Sequence, residues 1–556
     1  MSPFLSRFFK PIDIMPLVFF RVVFGGIILW EVWRYFHYDR IFRYYIEPDF
    51  HFTYWGFGWV QPLPGDGMIW LFHFIGLLSV FILIGFFYRP AMTAFFFIFT
   101  YVFLLDETQY LNHLYLVCLI SFLLIFVPAH RKWSVDAWLR PALRSESAPQ
   151  WALWILRGQM AVVYIYGAIA KMNSDWLRGE PLREWLGDRT DFPLIGHLFT
   201  EEWMIYAFSY GGLLFDLLIV PLILWRRTRL LALVLALGFH LTNYQLFDIG
   251  IFPWFSIAIT MIFLPPHWFR LGRKIAMPQI QSLRLAPAQR LLLFVLGIFF
   301  FVQFVMPLRQ FIYPGYASWT EEGHNLSWRM KLRDKAGVAY FFATNPQDGM
   351  TQMISLENYL GQRQIGKMED RPPMMLRFAH YLSSLPEYEG YEIRVWAMSS
   401  LNNRSPQLLV DPTANLAAQP DDLRSSDWIV PLVQPPSGEP RSPALLISRR
   451  LDGALVFINM TEIPFLLVDI ELQAGDIVLS GEDLGMVYLA EDECAVATVP
   501  QAATADLFPI CNERGRYSLS AEQAILQEQD FLVRFRGEQL TCTGLLCVVY
   551  DPVPGN

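Results

Sequence analysis

Charge is scarce in this chain. Only 17% of its 556 residues are Asp, Glu, Lys or Arg, against 54% hydrophobic and 16% aromatic. That composition excludes an ordinary soluble protein, and the length exceeds a single domain. The formal net charge is −8 with no long basic run, which argues against nucleic acid as a partner. Cysteine is scarce too: Cys118, Cys494, Cys511, Cys542 and Cys547 form no CxxC. This excludes a thiol oxidoreductase centre and a cysteine-rich zinc module. The histidines lack ligand spacing and no carboxylate cluster accompanies them, so no metal site is expected. Internal repeats, low-complexity tracts and a Ser or Cys nucleophile motif are absent as well. The first apolar run follows Arg7 and Lys10 but has no A-x-A cleavage pattern. It reads as a retained membrane helix rather than a signal peptide.

What the chain does have is a series of long apolar runs, at about 14–36, 68–87, 91–105, 111–128, 150–172, 204–225, 229–247, 250–264 and 289–307. Several have the length needed to span a bilayer; the shorter ones suit tilted, paired or re-entrant helices. Positive charge falls on alternate connections: Arg7 and Lys10, Arg89, His130-Arg131-Lys132 with Arg140 and Arg144, Arg226-Arg227 with Arg229, and Arg270 to Arg290. Nine crossings put all of these on the cytoplasmic side, with the N-terminus inside and everything after about Leu308 outside. Loop 38–66 is the exception, holding Arg40 and Arg43 outside in the company of Asp39, Glu47 and Asp49. The expected fold is an α-helical polytopic membrane domain of about eight to nine transmembrane helices. An extramembrane mixed α/β to mainly β domain follows. The expected divisions are a membrane domain at 1–307, a juxtamembrane and outer α/β region at 308–450, and a β-rich C-terminal domain at 451–556. Within the outer part, 338–343 and 391–398 read as strands and 374–384 as a helix. Runs from 454 to about 498, broken by Gly475, Gly481 and Gly485, suggest a small antiparallel sheet of jelly-roll character. Four of the five cysteines fall in this outer portion, where disulfides can form.

The topology collects polar residues at one membrane face. Asp106, Asn112 and His113 lie where the third and fourth helices meet, Lys171 ends the fifth, and His240 and Asn243 lie near the end of the seventh. At 1.5 Å per residue, His113 is about 24 Å from the inner turn at Ala129, and Lys171 about 33 Å from Pro149. An intramembrane lysine costs roughly 3 kcal/mol on insertion scales; snorkelling to the headgroups is the simple explanation. Yet Tyr164, Gly167, Ala168 and Lys171 share one helix face. The small residues there admit either close helix packing or a flat ligand beside the lysine. After Pro307, the stretch 313–334 (YPGYASWTEEGHNLSWRMKLRD) is rich in aromatic and polar residues.

The order of motifs resembles the vitamin K-dependent γ-glutamyl carboxylase family, whose membrane part is the horizontally transferred transmembrane (HTTM) domain. The likeness is carried by 46–62 (IEPDFHFTYWGFGWVQP), 104–116 (LLDETQYLNHLYL), 129–137 (AHRKWSVDA), 156–177 (LRGQMAVVYIYGAIAKMNSDWL), 239–252 (FHLTNYQLFDIGIF), 315–330 and 399–416 (SLNNRSPQLLVDPTANL). It spans most of residues 1–420 and fades after about 450. The resemblance implies a lyase-type membrane carboxylase with epoxidase activity. Reduced vitamin K, a hydroquinone, is oxidised by O2 to its 2,3-epoxide, which supplies the base for γ-carboxylation of protein glutamate by CO2. Lys171 matches the lysine that, as a neutral amine, deprotonates the hydroquinone; burial among Tyr164, Ile165, Ile169 and Ala170 favours that form. His113 matches the histidine beside the glutamate or the developing oxyanion, with Asn112 as its hydrogen-bonding neighbour. His240 matches a histidine on the quinone side, where Tyr164, Gly167 and Asn243 join it in the implied cofactor site. Trp319, His324, Ser327 and Trp328 match the region that holds the glutamate substrate. The vertebrate-type sequence has tyrosine where this chain has His324, and an interfacial aromatic belt would supply the same tryptophans. Arg157 and Gln159 match too, though Arg157 lies deep in its helix, where an ion pair or backbone cap serves equally.

The implied partners are the lipid bilayer and a glutamate-containing exported peptide or protein. Short loops and a compact C-terminal part look bacterial, implying an inner membrane with the active site on the periplasmic side. Three alternatives remain at the level of sequence. One is a quinol epoxidase that has lost carboxylation. Another is a transporter or small-molecule receptor using Lys171, His113 and His240 as ligand or proton sites, disfavoured by the lack of an inverted repeat. The third is a non-catalytic scaffold with the outer sheet as its binding module.

Overall fold

The computed structural model of the protein describes residues 8–247, 249–270, 286–347, 351–404 and 406–432, and between 443 and 550 the backbone of short strands. The chain divides into two compact units, Met1–Pro314 with Glu322–Leu332, and Gly315–Glu321 with Arg333–Asn556.

The first unit is helical. Its principal helices are α1 (Met15–His37), α2 (Gly67–Ile84), α3 (Tyr88–Leu105), α4 (Asn112–Phe126), α5 (Gln150–Lys171), α6 (Glu202–Leu224), α7 (Arg229–Leu246), α8 (Phe252–Thr260) and α9 (Pro287–Val305). Each apolar run of the sequence is thus a helix. Six of them (α1, α2, α3, α5, α6 and α9) are long and apolar enough to cross a membrane, while α4 and α8 are shorter. Helices consecutive in the chain pack as antiparallel neighbours, α1 on α2, α3 on α4, α5 on α6 and α6 on α7, as short connections dictate.

Several polar groups near the helix ends are satisfied internally, as a bilayer favours. Gly85 takes a left-handed conformation (φ 68°) to end α2, and the Asp136 carboxylate accepts the N–H groups of Phe87 and Tyr88 at 2.9 Å each to start α3. Arg21, fully buried in α1, donates to the carbonyls of Ala129 (3.0 Å) and Trp133 (2.5 Å). Arg157 donates to the Ile262 carbonyl at 3.1 and 2.7 Å, so it is a backbone cap. The short strands Pro11–Asp13 and Ser147–Pro149 pair antiparallel, and Arg270 binds both Asp13 (2.6 Å) and Glu146 (2.6 Å) beside them.

In the second unit, β1 (Lys335–Thr344), β2 (Thr351–Ile354), β3 (Glu392–Leu401) and β4 (Gln407–Leu408) form an antiparallel sheet ordered β2-β1-β3-β4. β1 and β3 pair over their whole length, from Lys335 opposite Leu401 to Thr344 opposite Glu392. Both strands outrun the apolar stretches that betray them in sequence, because cross-strand pairing carries the polar ends along. Helix α10 (Pro372–Ser384) packs Phe378 edge-on against Phe341 of β1, ring centroids 5.0 Å apart. The strands between 443 and 550 form two further four-stranded antiparallel sheets and a two-stranded one. Disulfides among Cys494, Cys511, Cys542 and Cys547 lie outside the described residues' side chains; Cys118 is a buried free thiol.

Candidate active site

Helix α5 ends at Lys171, and the chain turns at once. Asn173 caps the next turn by accepting the Trp176 N–H at 3.0 Å, and the Trp176 indole donates to the Ser209 carbonyl of α6 at 2.9 Å. The turn pins the end of α5 to α6, and there the lysine meets its partner. Lys171 Nζ donates to Asp216 Oδ2 at 2.5 Å and lies 5.4 Å from the Trp176 ring centroid. Both ends of the pair are buried, 7% exposed for Lys171 and 4% for Asp216. A buried charge requires such pairing, so Lys171 is not the lone amine among apolar side chains that the sequence suggests. Ile165, assigned to its surroundings, is 41% exposed on another face of α5. Gly167 serves this pair directly. A Cβ there would stand 2.9 Å from Asp216 Oδ2, and one at Gly212 would touch Trp176 at 3.5 Å and Lys171 Cε at 3.9 Å. The small residues on α5 thus make room for a carboxylate.

Toward the middle of α5, the Tyr164 hydroxyl lies 3.2 Å from His240 Nε2 on α7. Phe215 and Phe239 stack with centroids 3.9 Å apart, and the His240 ring stands edge-on to both, at 5.9 and 5.4 Å. Phe252, at the start of α8, neighbours two imidazoles: its ring is 6.4 Å from that of His240 and 5.9 Å from that of His113. His240 Nδ1 is buried without a hydrogen-bond partner among the described residues, a vacancy that native interiors rarely tolerate unless another group satisfies it. Aromatic faces beside an unsatisfied ring nitrogen fit a flat ligand with hydroxyl or carbonyl edges. Asn243, one turn beyond, is half-buried and makes no side-chain hydrogen bond among the described residues.

Residues 322–332 belong to the helical unit, and the turn between α3 and α4 explains why. Asn325 donates to Glu107 at 2.6 Å. The Tyr110 hydroxyl accepts the Leu326 N–H at 2.8 Å and donates to Asn112 Oδ1 at 2.9 Å. Asn112 then donates to the Arg329 carbonyl at 3.0 Å. Burial pushes the Tyr110 phenol well above its ordinary range, which keeps it a donor. Both ends of the Asn112 amide thus help anchor this segment. Arg329 also binds Gln310 (2.6 Å), and Arg309 binds the Asn325 carbonyl (2.6 Å). These ties hold Leu326, Trp328 and Lys331 at φ of 62°, 58° and 48°, left-handed values that non-glycine residues adopt only when their surroundings enforce them. Ser327 is buried and donates to the Gly323 carbonyl at 2.6 Å. Trp328 packs on Tyr115 at 5.1 Å, and its indole N–H is buried without an acceptor among the described residues. His324 is buried.

Trp319 does not share this unit. It lies in the second, 1% exposed, with its indole N–H given to the Val430 carbonyl at 2.7 Å. Lys335 lies 5.3 Å from its ring centroid and donates to its carbonyl at 2.6 Å. Burial holds the Lys335 amine well below the usual lysine range.

Sequence reasoning missed Asp216 and Tyr110. A lone acid inside the apolar run GGLLFDLLIVPLIL was the available signal, since an intramembrane carboxylate demands a cation. Tyr110 gave none, because the contact that matters, with Leu326, is more than 200 residues away in the chain.

Comparison with known proteins adds two matches in tandem. A family model of the HTTM domain matches residues 9–268, and one of the vitamin K-dependent gamma-carboxylase lumenal domain matches residues 288–435. No solved structure matches the chain.

Proposed function

Since the chain belongs to the vitamin K-dependent γ-glutamyl carboxylase family, we propose that it couples oxidation of reduced vitamin K to its 2,3-epoxide with γ-carboxylation of glutamate in an exported peptide or protein. The bound hydroquinone, with O2, supplies the strong base that takes the glutamate γ-hydrogen, which no protein side chain can remove. Lys171 receives the hydroquinone proton at Nζ. Tyr164 fixes His240 through Nε2, leaving Nδ1 to bind the quinone edge, and the rings of Phe215, Phe239 and Phe252 exclude water. His113, across Phe252, serves the glutamate or the oxyanion that develops beside it, and the 322–332 segment presents the glutamate, with the free Trp328 N–H as a donor to its carboxylate.

The observation that best supports this reading is the Phe252 relationship. One ring neighbours both the imidazole assigned to the quinone and the imidazole assigned to the glutamate. Coupled reactions need that adjacency, whereas independent binding sites do not. The test is reconstitution with reduced vitamin K, O2, labelled bicarbonate and a glutamate peptide. Epoxide together with fixed label is expected. Epoxide without label would leave a quinol epoxidase, and neither product from an intact preparation would remove the enzymatic reading. The charge pattern of the loops supports a cytoplasmic N-terminus and an active site on the opposite side of the membrane, and the short loops support a bacterial inner membrane with that side periplasmic.

A further inference from the structure

We infer that Asp216 is the positioning residue that receives the proton passing through Lys171. The inference rests on the proposed function. A lysine 2.5 Å from a buried carboxylate is one half of an ion pair, and an ammonium has no lone pair with which to accept a proton. The base is therefore the pair.

The proton balance follows from the geometry. At the start the pair is Nζ ammonium and Oδ2 carboxylate, with net charge zero. As the hydroquinone O–H bond breaks, its electron pair stays on oxygen. Nζ forms one N–H bond to the arriving proton while releasing the proton it shares with Oδ2. At the end Lys171 is again an ammonium, Asp216 is a neutral acid, and the pair has gained one positive charge beside the oxygen that lost its proton. No further reactant is required. The arrangement also keeps a cation next to the developing anion throughout, where low dielectric makes it most effective.

Two features of the fold fit a proton-accepting role better than simple charge neutralisation. The first is that Gly167 leaves room for the carboxylate, since a Cβ there would stand 2.9 Å from Asp216 Oδ2, and the carboxylate lies at hydrogen-bond distance from Nζ. The second is that Asp216 lies on α6 and Lys171 on α5, so the terminal acceptor and the relay are held by different helices. Tyr164 and His240, the other titratable groups nearby, bond to each other through His240 Nε2.

The experiment uses the full-length protein in lipid nanodiscs. Reduced vitamin K is added without oxygen while infrared difference spectra are recorded, and epoxide formation is measured in parallel after oxygen is admitted. We expect wild type to gain a protonated-carboxyl stretch on addition of the hydroquinone. The band should vanish in Asp216→Asn and change frequency in Asp216→Glu, which identifies the carboxyl even if the asparagine variant fails to fold. Epoxide formation by folded Asp216→Asn should fall about 10²- to 10⁴-fold, with partial recovery in Asp216→Glu. Epoxide formed by wild type without the band overturns the inference and leaves the functional reading standing. So does a band that ignores both substitutions. A band that follows Asp216, with no epoxide once oxygen is present, upholds the inference and removes the functional reading instead.

Discussion

Asp216 Oδ2 fills the volume that a side chain at Gly167 would need, standing 2.9 Å from where its Cβ would be. Gly167→Ala therefore has to displace the carboxylate from Lys171. Overpacking of this kind costs about 1–3 kcal/mol. The expected outcome is a folded protein of lower thermal midpoint whose epoxidation drops far more than its stability does. A Gly167→Ala protein of wild-type activity would show that the Lys171–Asp216 contact is dispensable.

The same pair predicts a stability cycle. Removing one partner of a buried ion pair costs about 3–5 kcal/mol, because the other charge is left alone, whereas replacing both by apolar groups is near neutral. Lys171→Leu and Asp216→Leu should each destabilise the helical unit, and the double variant should recover most of the loss without recovering epoxidation. Thermal melting in detergent reads the first and product analysis the second. Lys171→Ala should likewise abolish epoxidation, with partial restoration by small exogenous amines that fit beside Asp216. If the double variant is no more stable than the singles, the two side chains do not interact in solution.

Much of this was legible in the sequence, and the limits are physical. The apolar runs gave every principal helix of the first unit because twenty or so apolar residues have few other fates. Lys171, His113 and His240 stood out because a polar group at membrane depth is costly. Asp216 was overlooked because a hydropathy window averages one acid away among leucines and phenylalanines, and because its partner is 45 residues distant. The placement of 322–332 with the helices was invisible for another reason. It depends on Tyr110, Asn112 and Glu107, whose side chains bond across more than 200 residues, and on left-handed backbone at Leu326 and Trp328 that no residue preference announces. Trp319 shows the converse. It shares a motif with Ser327 and Trp328 in sequence, yet its indole is spent on Val430 in the second unit.

That difference between the tryptophans can be tested. Trp319→Phe loses a satisfied hydrogen bond and should destabilise the outer unit by about 1 kcal/mol, with little effect on KM for a glutamyl peptide. Trp328→Phe removes a donor that has no acceptor among the described residues, so it should cost only the packing loss of a buried large-to-small change while KM rises. Reversed outcomes would move the glutamate contact from Trp328 to Trp319.

The anchoring of 322–332 makes a separate kinetic prediction. Tyr110→Phe leaves the Leu326 N–H and Asn112 Oδ1 without their partner, and each unsatisfied buried group costs about 1–3 kcal/mol. The segment should loosen, and carboxylation should suffer through KM for the peptide, while epoxidation driven from the Lys171 side changes less. Asn112→Ala should behave alike. His113→Ala, in contrast, should hurt carboxylation at least as much as epoxidation through kcat. Equal losses of both activities in Tyr110→Phe would mean that the segment serves the quinone side as well.

Two histidines outside the membrane-spanning helices set an acid limit on stability. Burial lowers the His51 imidazole to about 4, opposed by a hydrogen bond with the Tyr44 backbone. It lowers that of His130 to about 4 as well, helped by Arg89 and opposed by Asp136. Each has a buried ring nitrogen without a partner among the described residues, Nε2 in His51 and Nδ1 in His130. In the unfolded chain a histidine titrates near 6.5, so between about pH 4 and 6.5 the unfolded state binds more protons than the folded one. Stability therefore rises with pH across that window and is lost on acidification through it. His130 stacks on Tyr88 with centroids 5.2 Å apart, an arrangement that phenylalanine can keep. The combined His51→Phe and His130→Phe variant should accordingly lose less thermal stability than wild type between pH 6.5 and pH 5. Parallel declines in the two proteins would assign the acid sensitivity to other groups.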